Sequence, residues 1–87
     1  MTTVRIPKPM RIYTQDMDVV QAGGKNVRKL INELEKSYPG MKDALVEGDK
    51  LRPGVAIVLD GKISQLGLFQ PLSEENEVVF IHAITGG

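Results

Sequence analysis

Val27, Leu30, Ile31, Leu34 and Tyr38 follow one another at i, i+3, i+4, i+7 and i+11, which puts all five on one face of an α-helix. Arg28, Lys29, Asn32, Glu33, Glu35 and Lys36 occupy the rest of its circumference. Asn26 is placed to cap the helix, because its side-chain oxygen can accept from a backbone N–H that has no partner in the first turn, and Pro39-Gly40 ends it. This is the strongest periodic signal in the chain. The apolar stripe must be buried against something, and the segments around it read as strands. A small sheet with the helix laid across one face is the arrangement that satisfies both.

Thr3-Val4-Arg5-Ile6 alternates polar and apolar and stops at Pro7-Lys8-Pro9, where consecutive ladder hydrogen bonds are impossible. Residues 10–18 are mixed and predict a loop or a helical turn anchored by Ile12 and Tyr13. A short β-prone run, 18–22, ends at Gly23-Gly24. Beyond the helix, 41–46 predicts a helical turn and Glu47-Gly48-Asp49-Lys50 a polar connector. Val55-Ala56-Ile57-Val58-Leu59 has the composition of a buried central strand. Asp60-Gly61 is a tight-turn signal, because both central positions of a type I′ turn need positive φ, so 62–66 reads as the hairpin partner. Leu68 and Phe69 fall in a loop, 73–76 is a polar turn, and 77–84 is a last strand, apolar on both faces except at His82. The order strand, strand, long helix, strand, strand, strand, with the last strand returning to the middle, predicts an α+β fold of the β-grasp, ubiquitin-like kind: a small mixed sheet with one helix on one face. At 87 residues this fits one domain, 1–87.

Composition removes several functions. Eleven basic residues balance eleven acidic ones, and the basic residues are scattered, so there is no electrostatic footprint for nucleic acid or for an anionic membrane surface. No apolar stretch approaches the ~20 residues that span a bilayer, and the N-terminus lacks a signal-peptide hydrophobic region, so a cytoplasmic protein is expected. With no cysteine there is no disulfide, no thiolate metal site and no cysteine nucleophile. His82, the one imidazole, has no partner for a metal and no aligned nucleophile, so it reads as a packing or contact residue. Gly23-Gly24 is a turn and not a phosphate loop, since no Gly-x-Gly-x-x-Gly pattern and no Lys-Ser/Thr pair accompanies it. No catalytic residue and no metal site are expected.

The chemistry is expected at the chain end, Thr85-Gly86-Gly87. Two glycines directly after the last strand make a slim tail that can enter a channel where any Cβ would clash. Such a tail offers its α-carboxylate, a poor electrophile that needs activation. Attack on ATP gives an acyl-adenylate whose carbonyl accepts a sulfur or nitrogen nucleophile.

The run Pro71-Leu72-Ser73-Glu74-Glu75-Asn76 followed by Glu77-Val78-Val79-Phe80-Ile81-His82-Ala83-Ile84-Thr85-Gly86-Gly87 resembles the C-terminal signature of the MoaD/ThiS sulfur-carrier proteins. The helix stripe, the 55–59 strand and the Asp60-Gly61 turn match in order and spacing, so the resemblance covers nearly the whole chain. It implies that Gly87 is adenylated by an activating enzyme of the MoeB/ThiF kind, which consumes ATP, and is converted to a thiocarboxylate. It also implies that Gly86 and Thr85 carry this group into a second, sulfur-accepting biosynthetic enzyme, with no cofactor bound to the carrier. His82-Ala83 stands where molybdopterin-synthase small subunits commonly place prolines, and the 39–53 connector is longer than in compact thiamine-pathway carriers. The size and the Tyr38-Pro39-Gly40 helix exit resemble carriers that feed amino-acid biosynthesis, of cysteine or homocysteine.

By the same resemblance Val78 and Phe80 are core, which leaves Val79 and Ile81 on the other face of the last strand, with Phe69 or Leu68 beside them. That face is either an exposed docking patch for partners or is covered by a loop. Glu74-Glu75-Asn76-Glu77 is either a pairing site for basic residues of an activating enzyme or a solvated turn. Two other functions fit the same fold: a ubiquitin-like modifier that joins lysines through its tail, and an interaction module whose tail is inert.

Overall fold

A computed structural model describes residues 1–82. Strand β1, Thr2–Arg5, pairs antiparallel with β2, Val19–Ala22. Helix α1, Val27–Ser37, is followed by a short α2, Met41–Leu45. A two-stranded hairpin comes next, β3 Val46–Glu47 and β4 Lys50–Leu51. Then β5, Val55–Leu59, turns into β6, Lys62–Ile63, and β7, Glu77–His82, completes the main sheet. Its order is β2-β1-β7-β5-β6, with β7 in the centre, parallel to β1 and antiparallel to β5. This is the β-grasp topology expected from the element order.

The helix forms where its period predicts. Asn26 Oδ1 accepts from the Lys29 N–H at 2.9 Å, and Val27, Leu30, Ile31 and Leu34 are buried. They pack with Val4 and Ile6 from the β1 segment, Val20 and Ala22 from β2, Ile57 from β5, and Val78 and Phe80 from β7. The helix stops at Tyr38 because Pro39 disfavours α geometry in the residue before it. The Glu35 carboxylate then accepts from the Lys42 N–H at 2.8 Å, tying the end of α1 to the start of α2.

Four expectations are corrected. Residues 8–14 form a 3₁₀ helix whose buried anchors are Met10 and Thr14; Tyr13 holds it only from the surface, its ring lying against Gly40, and Ile12 is exposed. With three residues per turn, 12 lies about a third of a turn from both 10 and 14, so it can face solvent while they face the core. The 47–50 connector is the β3–β4 hairpin, turned by Gly48 at φ 67°. In β5 only Ile57 is fully buried, because the single helix covers one face of the sheet and β6 beside it is two residues long. The pairing of β6 therefore ends at Ile63 and does not continue to Leu66. The expected last strand is seen as far as His82; Ala83 and Ile84 lie outside the described residues.

The Asp60-Gly61 turn forms with φ values of 48° and 86°. Asp60 does more than turn the chain. Its N–H donates to the Glu77 carbonyl at 2.9 Å, its Oδ1 accepts from the Glu77 N–H at 2.8 Å, and its Oδ2 accepts from Asn76 Nδ2 at 2.6 Å. The hairpin is thereby fastened to the root of β7. At the same end the Thr2 hydroxyl donates to the Ser73 carbonyl at 3.0 Å, which joins β1 to the turn before β7.

Candidate functional site

Side chains alternate along β7, and this sorts its residues by role. Val78 and Phe80 point into the core and are buried. Val79 is half-buried and Ile81 is 40% exposed on the opposite face. Of the two arrangements open to that face, the exposed one is found among the described residues.

Strand register extends the face beyond the two residues expected. Val79 lies opposite Val58, and Val58 lies opposite Ile63, which is 68% exposed. Ile81 lies opposite Ala56. On the other side Val79 is level with Arg5, and Arg5 with Val19. A row Val19, Arg5, Val79, Val58, Ile63 thus crosses all five strands. Arg5 Nε stands 3.1 Å from the Glu77 carboxylate. Both side chains are about half exposed, so the pair contributes little stability, roughly 0–1 kcal/mol, and serves chiefly to edge the apolar strip with a fixed charge pair.

Val58, Ala56 and Ile63 were not among the expected docking residues, although a signal for Ile63 was present. A two-residue turn at Asp60-Gly61 forces Leu59 opposite Lys62 and Val58 opposite Ile63, so the parity of Ile63 follows from the turn.

The other expected contacts divide. Phe69 is 76% exposed, but it borders a shallow hollow with Leu51, Gln65 and Leu66 beside the β3–β4 hairpin. The cross-strand register that unites Val79 and Ile81 with Val58 and Ala56 does not include it. Leu68 does not fit a docking role: it is 4% exposed and belongs to the core. The 3₁₀ turn Gly67–Phe69 presents its two large side chains in different directions, so one packs inward and the other meets solvent. The acidic 74–77 stretch sits at the root of β7, at the opposite end of that strand from its exit at His82. Asn76 is occupied by Asp60, and Glu77 by Arg5. The expected reactive end, Thr85, Gly86 and Gly87, lies outside the described residues, as do the surroundings of the His82 side chain.

Among the described residues no group of three or more His, Cys, Asp or Glu is placed to hold a metal ion, and no helix is long and apolar enough to cross a membrane. The arrangement described is a five-stranded sheet with a partly apolar outer face, and its central strand, β7, is the last element among the described residues.

Comparison with known proteins agrees with that picture. A model of the ThiS family matches residues 4–87. A chain in the crystal structure of the Amycolatopsis orientalis BexX/CysO complex superposes with a TM-score of 0.93 at 26% sequence identity, covering 100% of each chain. Mycobacterium tuberculosis CysO, described as an antigen, gives a TM-score of 0.89 at 26% identity over 97% of this chain and 100% of that one. Small archaeal modifier protein 1 of Methanosarcina acetivorans gives 0.80 at 19% identity over 99% and 95% of the two chains, a likeness of fold. Comparison with curated protein sequences gives no match.

Proposed function

Because this chain belongs to the ThiS family, we propose that it is a sulfur carrier whose working group is the C-terminal carboxylate of Gly87. The observation that carries the reading is the extent of the family match: it runs through the last strand to residue 87 and takes in Gly86-Gly87. In the proposed cycle an activating enzyme of the MoeB/ThiF kind binds ATP and receives the tail. A carboxylate oxygen of Gly87 attacks the α-phosphorus, pyrophosphate leaves, and an acyl-adenylate results. Hydrosulfide then attacks the acyl carbon; AMP leaves and a thiocarboxylate remains. Gly86 contributes backbone without a side chain, which suits passage through a narrow channel. The chain is a substrate of enzymes and supplies no catalytic group of its own.

A second enzyme then takes the sulfur for biosynthesis. A similar chain is known within a complex of CysO with another protein, BexX. The outward strip of Val79, Ile81, Val58 and Ile63 suits such an association, since it is apolar, edged with charge and continuous with the strand that carries the tail.

The test is intact mass after incubation with ATP, a MoeB/ThiF-type enzyme and a sulfur source. The expected result is a gain of about 16 Da, sulfur replacing oxygen, confined to the C-terminal peptide and abolished by deleting Gly87. An unchanged mass under conditions that activate a control carrier rejects the proposal. Isopeptide conjugates to lysines, without a free thiocarboxylate, would identify a protein modifier instead.

A further inference from the structure

The carrier reading uses the chain end, yet any enzyme that takes that end must also meet the surface from which it departs. Strand register identifies this surface. β1 and β7 run parallel, with Arg5 level with Val79, so both strands finish at the same end of the sheet. His82 lies three residues past Val79, as Lys8 lies three past Arg5, and the first 3₁₀ helix, Lys8–Thr14, begins there. The start of β5 is at this end as well, Val55 being opposite His82.

This 3₁₀ helix is built to hold still while displaying part of itself. Met10 and Thr14 are buried, and the Thr14 hydroxyl donates to the Met17 carbonyl at 2.8 Å. The Tyr13 ring lies against Gly40. Arg11 Nε donates to the Ile6 carbonyl at 3.1 Å, which ties the guanidinium to the end of β1. Against that anchored side, Ile12 is 80% exposed, the most exposed large apolar side chain among the described residues. It borders a shallow hollow with Lys8, Arg11 and Asp16, and no carboxylate lies within 4 Å of Lys8 or Arg11 among the described residues. An isoleucine held out on the same hollow as two cations that lack an ion-pair partner among the described residues is fitted to an apolar socket edged with carboxylates, and its anchoring lowers the ordering cost of docking.

We infer that Lys8, Arg11 and Ile12 form a docking ridge for the activating enzyme, engaged while the tail occupies its active site; this rests on the carrier reading. Of the two enzymes that take the tail, the activating one brings a polyanion, ATP, to meet a carboxylate. Lys8 and Arg11, at the end of the sheet where β7 finishes, give the approaching carrier positive charge on that side, which calls for an acidic patch on the enzyme.

The experiment is ATP–pyrophosphate exchange by the MoeB/ThiF-type enzyme of the same organism, with the full-length chain varied in concentration. Ile12→Asp and Lys8→Glu are each expected to raise the KM for the carrier about tenfold with kcat nearly unchanged, since the tail itself is intact. Ile12→Leu should restore the wild-type value, and thermal unfolding of all three should match the wild type because both side chains face solvent. A KM within about twofold of wild type for Ile12→Asp and Lys8→Glu overturns the ridge. So does a defect confined to sulfur transfer from preformed thiocarboxylate, which would assign these residues to the other enzyme. A wild-type chain that supports no exchange rejects the carrier reading itself, and the ridge with it.

Discussion

At Gly40 the backbone φ is 103°, and an added Cβ would lie 2.7 Å from Cδ1 of Tyr13. Two separate costs therefore meet at one residue: a left-handed conformation that L side chains resist, and a ring in the way. Gly40→Ala is expected to destabilise the fold by about 1–3 kcal/mol, read from urea unfolding. Tyr13→Ala in the same chain should recover the steric part and leave the conformational part, so the two substitutions will not add. The sequence shows Pro39-Gly40 as a helix exit, and the structure agrees. That the glycine also makes room for Tyr13, 27 positions earlier, was not legible, because a contact at that separation has no local signature. Asp60 is a similar case. Its turn role follows from its neighbour Gly61, whereas its carboxylate bonds to Asn76 and Glu77 depend on where the chain returns.

At the scale of elements, the long periodic segments were legible and the short ones were not. α1 and its Asn26 cap follow from the sequence because eleven helical residues repeat a pattern often enough to define a face. The β3 and β4 strands are two residues each and cannot show a period, so their hairpin looked like a polar connector. The second 3₁₀ turn posed the same difficulty, and Leu68 and Phe69 read alike as loop hydrophobics. Mutation should separate them. Leu68→Ala removes buried side-chain volume and should cost about 2–5 kcal/mol, whereas Phe69→Ala should stay within about 0.5 kcal/mol of wild type. Equal losses in denaturant unfolding would contradict the burial assigned to the two residues.

At the scale of the whole molecule, the sheet order decides which distant residues act together. β7 enters last and takes the centre, so its outward residues gain neighbours from β1 on one side and β5 on the other. Replacing Ile81 by Asp puts a charge on the same outward face, opposite Ala56 and two residues along β7 from Val79. The fold should tolerate it, with circular dichroism unchanged and a Tm within a few degrees of wild type, roughly the shift that 1 kcal/mol produces. Partner binding should weaken, measured by calorimetry against the sulfur-accepting enzyme. Phe80→Asp is the contrast, since it places an unpaired carboxylate in the core and should abolish folding. If Ile81→Asp bound as well as wild type, the strip would have no part in docking.

The sequence by itself determined the helix and its core stripe, the Asp60-Gly61 turn, the alternation of the last strand, and the glycine ending that marks the family. Each of these depends on residues close together in the chain, through helical or strand period, turn stereochemistry, or a short motif. The tertiary structure alone decided that β5 brings Val58, with its hairpin partner Ile63, beside Val79, that Leu68 belongs inside while Ile12 stands outside, and that the first 3₁₀ helix shares an end of the sheet with the last strand. The physical reason is the same in each case. A period gives two faces but does not say which face meets the core, and only strand pairing and the placing of the helix against one side of the sheet make that choice.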